Sequence, residues 1–111
     1  MSDISVVHIV AFESGDRAEQ ARICFAMDCH AEIYANYDEL IAAAPETGVI
    51  LAEDMGANGG IASLVSGMAS EEFWLPIIAV AKSVEPRRVV EAVRAGASDY
   101  LAMPLDPTRL R

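Results

Sequence analysis

Carboxylate side chains follow two apolar runs of the chain, at positions where they could bind a metal ion. Glu13 comes directly after the run SVVHIVAF, and Glu53 and Asp54 come directly after the run GVILA. Carboxylate oxygens are the ligands that hard cations such as Mg²⁺ prefer. These three acids are therefore the candidates for a weak metal site. The simpler interpretation, which we favour, is that they are loop residues in contact with water.

The other reactive residue types lack the spacing that chemistry requires. His8 and His30 have no serine or cysteine partner at a recognisable triad spacing. Cys24 and Cys29 stand five apart, which fits neither a zinc knuckle nor a CxxC redox pair, so we expect free thiols. The glycine-rich loop MGANGG lacks the spacing of a nucleotide-binding loop. We expect no cofactor, and a small flavin or nucleotide binder stays only an alternative.

The composition limits the class of protein and its partners. The chain has 111 residues, 53% of them hydrophobic, which suits one small domain with a real core. Its formal net charge of −9 argues against direct contact with nucleic acid or with an anionic membrane, because both need a surplus of Lys and Arg. No apolar run resembles a signal peptide or a membrane span. We expect a cytoplasmic protein.

Strand-like and helix-like patterns alternate along the whole chain. Such alternation predicts an α/β fold, a doubly wound parallel sheet of five strands with helices on both faces. For five strands of this size we expect the strand order 2-1-3-4-5, with any site at the carboxyl ends of the strands. In the first helix, the spacing places Ala18, Ala21, Phe25 and Cys29 on one apolar stripe. The predicted strands are 5–12, 31–35, 48–52, 75–81 and 99–103, and the predicted helices are 16–29, 37–44, 61–68 and 85–95.

Local signals mark where helices begin and end. Asn36 with Glu39 predicts a capping box, Pro86 suits a first helical turn, and Gly96 suits a helix end. Asp106–Pro107 predicts the start of a fifth helix, which Arg111 truncates after about one turn. We therefore expect residues 1–111 to be a single domain and the N-terminal part of a longer protein.

Several of these residues also carry a resemblance to a known family. PIIAVA is followed by AGASDYL and then by Pro104, and Gly60 ends the loop after the third strand. The whole chain in this way resembles the receiver domain of bacterial response regulators, which has a flavodoxin-like fold. The resemblance implies a role in two-component signal transduction. In that family, strand-end carboxylates bind Mg²⁺ and accept a phosphoryl group, and a hydroxyl and a lysine assist them.

The chain departs from the family at each position that this chemistry needs. Apolar residues stand at the acid pair, the phosphoacceptor, the hydroxyl and the lysine positions. The resemblance then implies an atypical receiver, not an enzyme, that works without phosphorylation. An alignment shifted by one residue is the alternative, and it would make Glu53 or Asp54 a phosphoacceptor or a mimic of one. The five positions of this degenerate pocket are Ala11 and Phe12 at the acid pair, Ala52 at the phosphoacceptor, Ala81 at the hydroxyl position and Met103 at the lysine position.

The resemblance also implies a surface for protein partners. Tyr100 matches the aromatic residue that reports the state of a receiver, and the small Ala81 leaves room for an inward ring. The expected partner is a second copy, an output domain in the same chain such as a helix-turn-helix transcription regulator, or another protein. The candidate interaction face lies on the fourth helix and fifth strand and consists of Arg87, Arg88, Glu91, Arg94 and Asp99.

Overall fold

Five strands alternate with four helices in the computed structural model, which describes residues 6–54 and 60–103. Every predicted element within those ranges is present, with ends that differ by a few residues. The fifth helix predicted from Asp106 lies outside the described residues. In chain order the elements are β1 (Val6–Val10), α1 (Ser14–Ala26), β2 (His30–Tyr34), α2 (Tyr37–Ala43), β3 (Val49–Glu53), α3 (Gly60–Ser70), β4 (Ile77–Ala81), α4 (Pro86–Ala95) and β5 (Asp99–Ala102).

The strands form one parallel sheet in the order β2-β1-β3-β4-β5. This confirms the predicted fold class and strand order. Because strand side chains alternate between faces, the core has two parts. The α3 side holds Val10, Ile50 and Ala52 against α2, α3 and α4, and the α1 side holds Ile9 and Leu51 against α1. Among the described residues, no helix is long and apolar enough to cross a membrane.

The predicted helix boundaries form for the expected local reasons. Asn36 Oδ1 accepts a hydrogen bond from the amide of Glu39 at 2.9 Å, and the Glu39 carboxylate accepts one from the amide of Ala35 at 2.8 Å. Pro86 opens α4, where its missing N–H removes no helical hydrogen bond. Gly96 ends α4 at a φ of 126°, a backbone conformation that glycine adopts without strain.

Only part of the predicted apolar stripe of α1 is buried: Ala21 and Cys29 pack against the core on the α1 side, whereas Ala18 and Phe25 are exposed. The helix buries Gln20 and Cys24, whereas Phe25 is 80% exposed and Cys29 lies beyond the last turn. The amide nitrogen of buried Gln20 lies 3.0 Å from the sulfur of Met103, whereas its amide oxygen has no hydrogen-bond partner within the described residues. Both cysteines are free thiols, as the sequence predicts, and burial raises the pKa of Cys24 to about 11.

Candidate functional site

The five residues of the predicted degenerate pocket lie at the carboxyl edge of the sheet but on two different faces. Ala52 and Ala81 belong to the α3 side, and Phe12 packs there too. Ala11 and Met103 belong to the α1 side. Ala11 and Ala52 are completely buried, so neither faces an open cavity. The strand ends are therefore apolar, as expected, but they do not line a single closed pocket.

Polar contacts on the α1 side join α1 to the strand ends. Arg17 donates a hydrogen bond from Nη1 to the carbonyl oxygen of Ala11 at 2.8 Å. The ammonium of Lys82, just after β4, lies 3.0 Å from Glu13 and 3.2 Å from Asp16. The hydrogen bonds that the Lys82 ammonium donates to these two carboxylates raise the pKa of Lys82. The one lysine near this edge is thus already paired with carboxylates of the loop after β1 and the first turn of α1.

Glu53 is part of β3 and does not extend into water as a loop acid. Its Oε1 accepts a hydrogen bond of 3.1 Å from the backbone amide of Phe12, across the ends of β1 and β3. Its own carbonyl oxygen accepts a 2.7 Å hydrogen bond from the hydroxyl of Tyr37. The expectation that Glu53 is a loop residue is wrong, because β3 runs one residue further than the pattern GVILA indicates, although the residue remains partly exposed.

Asp54 departs furthest from the sequence-based expectation. Its side chain is only 4% exposed, although we expected a hydrated loop acid. Oδ1 accepts a hydrogen bond from Arg88 Nη2 at 2.8 Å, and Oδ2 accepts one from the Tyr100 hydroxyl at 2.6 Å. The backbone amide of Asp54 donates to the carbonyl oxygen of Val80 at 2.8 Å. A buried carboxylate therefore links the end of β3 to α4, to β5 and to the backbone of β4.

The three candidate metal ligands do not meet. Glu13 contacts Lys82, Glu53 contacts the amide of Phe12, and Asp54 contacts Arg88 and Tyr100. Within residues 6–54 and 60–103, no group of three or more His, Cys, Asp or Glu side chains is placed to hold a metal ion. The residues present therefore do not fit the magnesium site that the resemblance implies.

Tyr100 points into the core on the α3 side and is 9% exposed. Its strand partner is Ala79, and the equally small Ala81 packs against the same cluster, so the ring has room. Burial raises the pKa of Tyr100 well above its ordinary value, and the hydrogen bond and negative charge of Asp54 raise it further. The neutral phenol is therefore strongly favoured at this position.

Gly60 opens α3 directly beneath the ion pair. A Cβ atom at this position would lie 2.8 Å from Asp54 Oδ1 and 3.1 Å from Arg88 Nη2, and Gly60 has a φ of +49°. Only glycine leaves this space without strain. The start of α3 thus approaches the Asp54 carboxylate closely, at the helix end that favours negative charge.

The candidate interaction face divides into one inward and several outward side chains. Arg87, Glu91 and Arg94 on α4 and Asp99 on β5 are exposed. Arg88 differs, because its side chain is 21% exposed and turns towards Asp54. We therefore assign Arg88 to the buried network and keep the other four residues as the candidate face. Val90 and Val93, both about half exposed, add apolar surface to the same helix.

Sequence reasoning missed the partners of Asp54, although one signal was present. Ile50 and Ala52 face the α3 side, and a period of two places Asp54 on that side as well. Tyr100, on β5, belongs to the same face. The alternation therefore places Asp54 and Tyr100 on the same face of the sheet once β3 is extended to Glu53, although it does not predict their contact.

Comparisons with known proteins show the fold. No protein-family model matches this chain, and no curated protein matches its sequence. Solved structures do match. FixJ-N superposes with a TM-score of 0.85 at 23% identity, over 99% of this chain and 89% of that one. The chemotaxis protein CheY4 of Vibrio cholerae superposes with a TM-score of 0.80 at 20% identity, over 97% and 93%.

A third neighbour is a Burkholderia pseudomallei response regulator that contains a phosphorylated aspartic acid. Its TM-score is 0.79 at 18% identity, over 96% of this chain and 64% of that one. Full-length FixJ from B. japonicum also matches, and this chain covers 55% of it. The chain therefore has the fold that response regulator receiver domains share.

Replacing Ala52 by Asp tests whether the strand ends are dry. Ala52 is fully buried among apolar side chains, so we expect the new carboxylate to lower the free energy of unfolding by about 1–3 kcal/mol. Urea denaturation measures the change. The matched control is Ala42→Asp, on the exposed face of α2. Equal stability of Ala52→Asp and Ala42→Asp would mean that water reaches the end of β3.

The raised pKa of Tyr100 predicts a loss of stability at high pH. An unfolded tyrosine ionises near pH 10, whereas folded Tyr100 stays neutral to higher pH. Its stabilising contribution is complete below about pH 10 and declines as the pH rises further. Tyr100→Phe should therefore show a shallower decline of the urea midpoint between about pH 9 and pH 11. Equal slopes in parent and variant would contradict the assignment.

Proposed function

We propose that this chain is a phosphorylation-independent receiver domain of a two-component-type signalling or transcription regulator. It acts by protein–protein contact in the cytoplasm, either by dimerisation or by control of an output domain in a longer protein. A helix-turn-helix output is the form of this proposal that the resemblance favours. The domain binds no cofactor and catalyses no reaction of its own.

The observation that supports the proposal is that apolar side chains and acids with partners inside the fold occupy the carboxyl edge of the sheet. Phosphoryl transfer to a receiver needs a free carboxylate as nucleophile and a hard cation held by further oxygen ligands. Ala11 and Ala52 offer neither, and Met103 contacts Gln20 in place of a lysine that would offset phosphoryl charge. The nearest acids, Glu53 and Asp54, already accept hydrogen bonds from groups within the fold.

The exposed part of α4 and β5 provides the chemistry for a protein contact. Val90 and Val93 supply apolar area, and Arg87, Arg94 and Asp99 supply charges around it. An apolar centre with a charged rim is the usual composition of a transient protein interface. Arginines on one copy and Asp99 on another would pair in both directions across a two-fold axis, which favours a symmetric dimer.

The proposal predicts no chemical modification by a phosphoryl donor. Incubation with acetyl phosphate and Mg²⁺ should leave the intact mass of the chain unchanged, because Ala52 stands at the phosphoacceptor position and no acids within residues 6–54 and 60–103 are grouped to hold Mg²⁺. The Burkholderia pseudomallei response regulator, which contains a phosphorylated aspartic acid, serves as the positive control.

A gain of one phosphoryl mass would contradict the proposal and favour a phosphoacceptor receiver with displaced acids. The variants Glu53→Gln and Asp54→Asn would then locate the modified residue, since the gain disappears only when the acceptor is removed. These two amide variants keep the size of the side chain but remove its negative charge, its nucleophilicity and one of its two acceptor oxygens.

A further inference from the structure

The Asp54 carboxylate is the meeting point of three elements that are distant in the sequence. Asp54 directly follows β3, and its carboxylate accepts hydrogen bonds from Arg88 in the first turn of α4 at 2.8 Å and from the Tyr100 hydroxyl on β5 at 2.6 Å. Each oxygen has its own partner, so neither contact can move without affecting the other. The backbone of Asp54 is fixed as well, through its hydrogen bond to Val80.

Burial distinguishes this group from the ion pairs on the surface. Arg22–Glu19 and Lys82–Glu13 are largely exposed, and such pairs contribute little to stability. Asp54 is 4% exposed, and removal of one partner from a buried pair leaves an uncompensated charge. Arg88 would then have no buried counter-ion, and its guanidinium would turn to water, on the side of α4 that carries Arg87 and Glu91.

We infer that Asp54 is a built-in counter-ion that holds Tyr100 inside the core and fixes the position of α4. The inference rests on the proposed function only in taking α4 and β5 as the interaction face. The negative charge that fixes the conformation of this face then belongs to Asp54, a residue of the chain itself. The candidate face has one arrangement for as long as Asp54 keeps its contacts with Arg88 and Tyr100.

The close approach of Gly60 supports this inference independently. The space that a Cβ would fill at the start of α3 is taken by Asp54 Oδ1 and Arg88 Nη2. The ion pair therefore fits only because position 60 is a glycine, which has no Cβ and adopts a positive φ without strain. Loss of the pair would leave a polar gap between α3 and α4 rather than a repacked core.

Hydrogen–deuterium exchange of Asp54→Asn, followed by mass spectrometry, tests the inference. The amide side chain keeps the shape and one acceptor but loses the charge that holds Arg88. Relative to the parent, we expect exchange at least about tenfold faster in α4 and β5, since these elements open locally once the buried pair is broken. The control is Asp38→Asn, an exposed acid in the first turn of α2, which should leave exchange in α4 and β5 unchanged.

Two variants keep the test decisive if Asp54→Asn does not fold. Tyr100→Phe removes only the hydroxyl, and Arg88→Met removes only the cation, so each releases one arm of the network. We expect each to accelerate exchange in both α4 and β5, because the arms share one carboxylate. Parent-like exchange in Asp54→Asn, or acceleration confined to the altered element in both single-arm variants, would overturn the inference.

The exchange experiment and the acetyl phosphate experiment can fail independently of each other. Exchange is measured without any phosphoryl donor, so a mass gain with acetyl phosphate would contradict phosphorylation independence and leave the exchange result standing. Equally, unchanged exchange in Asp54→Asn would remove the counter-ion role while the chain remained inert to acetyl phosphate.

Discussion

A carboxylate excluded from water needs hydrogen-bond donors or a positive charge in place of its lost hydration. The arrangement of the α3 side follows from how Asp54 obtains these partners. Arg88 supplies the charge, Tyr100 supplies a hydroxyl, and the start of α3 supplies a favourable helix end. Each compensation fixes a further element. Small residues at Ala79 and Ala81 admit the ring of Tyr100, and Gly60 admits the ion pair. The proposed interaction face on α4 and β5 would therefore be coupled to one buried acid.

The fold was largely predictable because it depends on patterns that short segments carry by themselves. The apolar runs give the strands, and the signals at Asn36, Pro86 and Gly96 give the helix ends. The buried face of α1 was not predictable in this way. Gln20 is buried beside Met103, which is remote in sequence, and Phe25 is exposed although it is strongly apolar. Helical periodicity contains no information about such long-range partners.

The candidate site was predictable in composition but not in geometry. The apolar residues at the strand ends could be read from the sequence, yet Ala52 and Met103 lie on opposite faces of the sheet. One extra residue in β3 turns Asp54 inward, and an error of one residue in a strand reverses the face. The partners of Asp54 come from α4 and β5, so only the tertiary structure brings a guanidinium and a phenol to the same carboxylate.

The central claim is that α4 and β5 have one arrangement that phosphoryl chemistry does not change. Beryllium fluoride tests it directly, because a solved receiver structure that superposes on this chain with a TM-score of 0.79 is described as activated by BeF3. Amide ¹H–¹⁵N spectra of the chain should superimpose with and without beryllium fluoride and Mg²⁺, including the signals of Tyr100 and α4. Saturable shifts that spread from Glu53 and Asp54 into α4 and β5 would contradict the account.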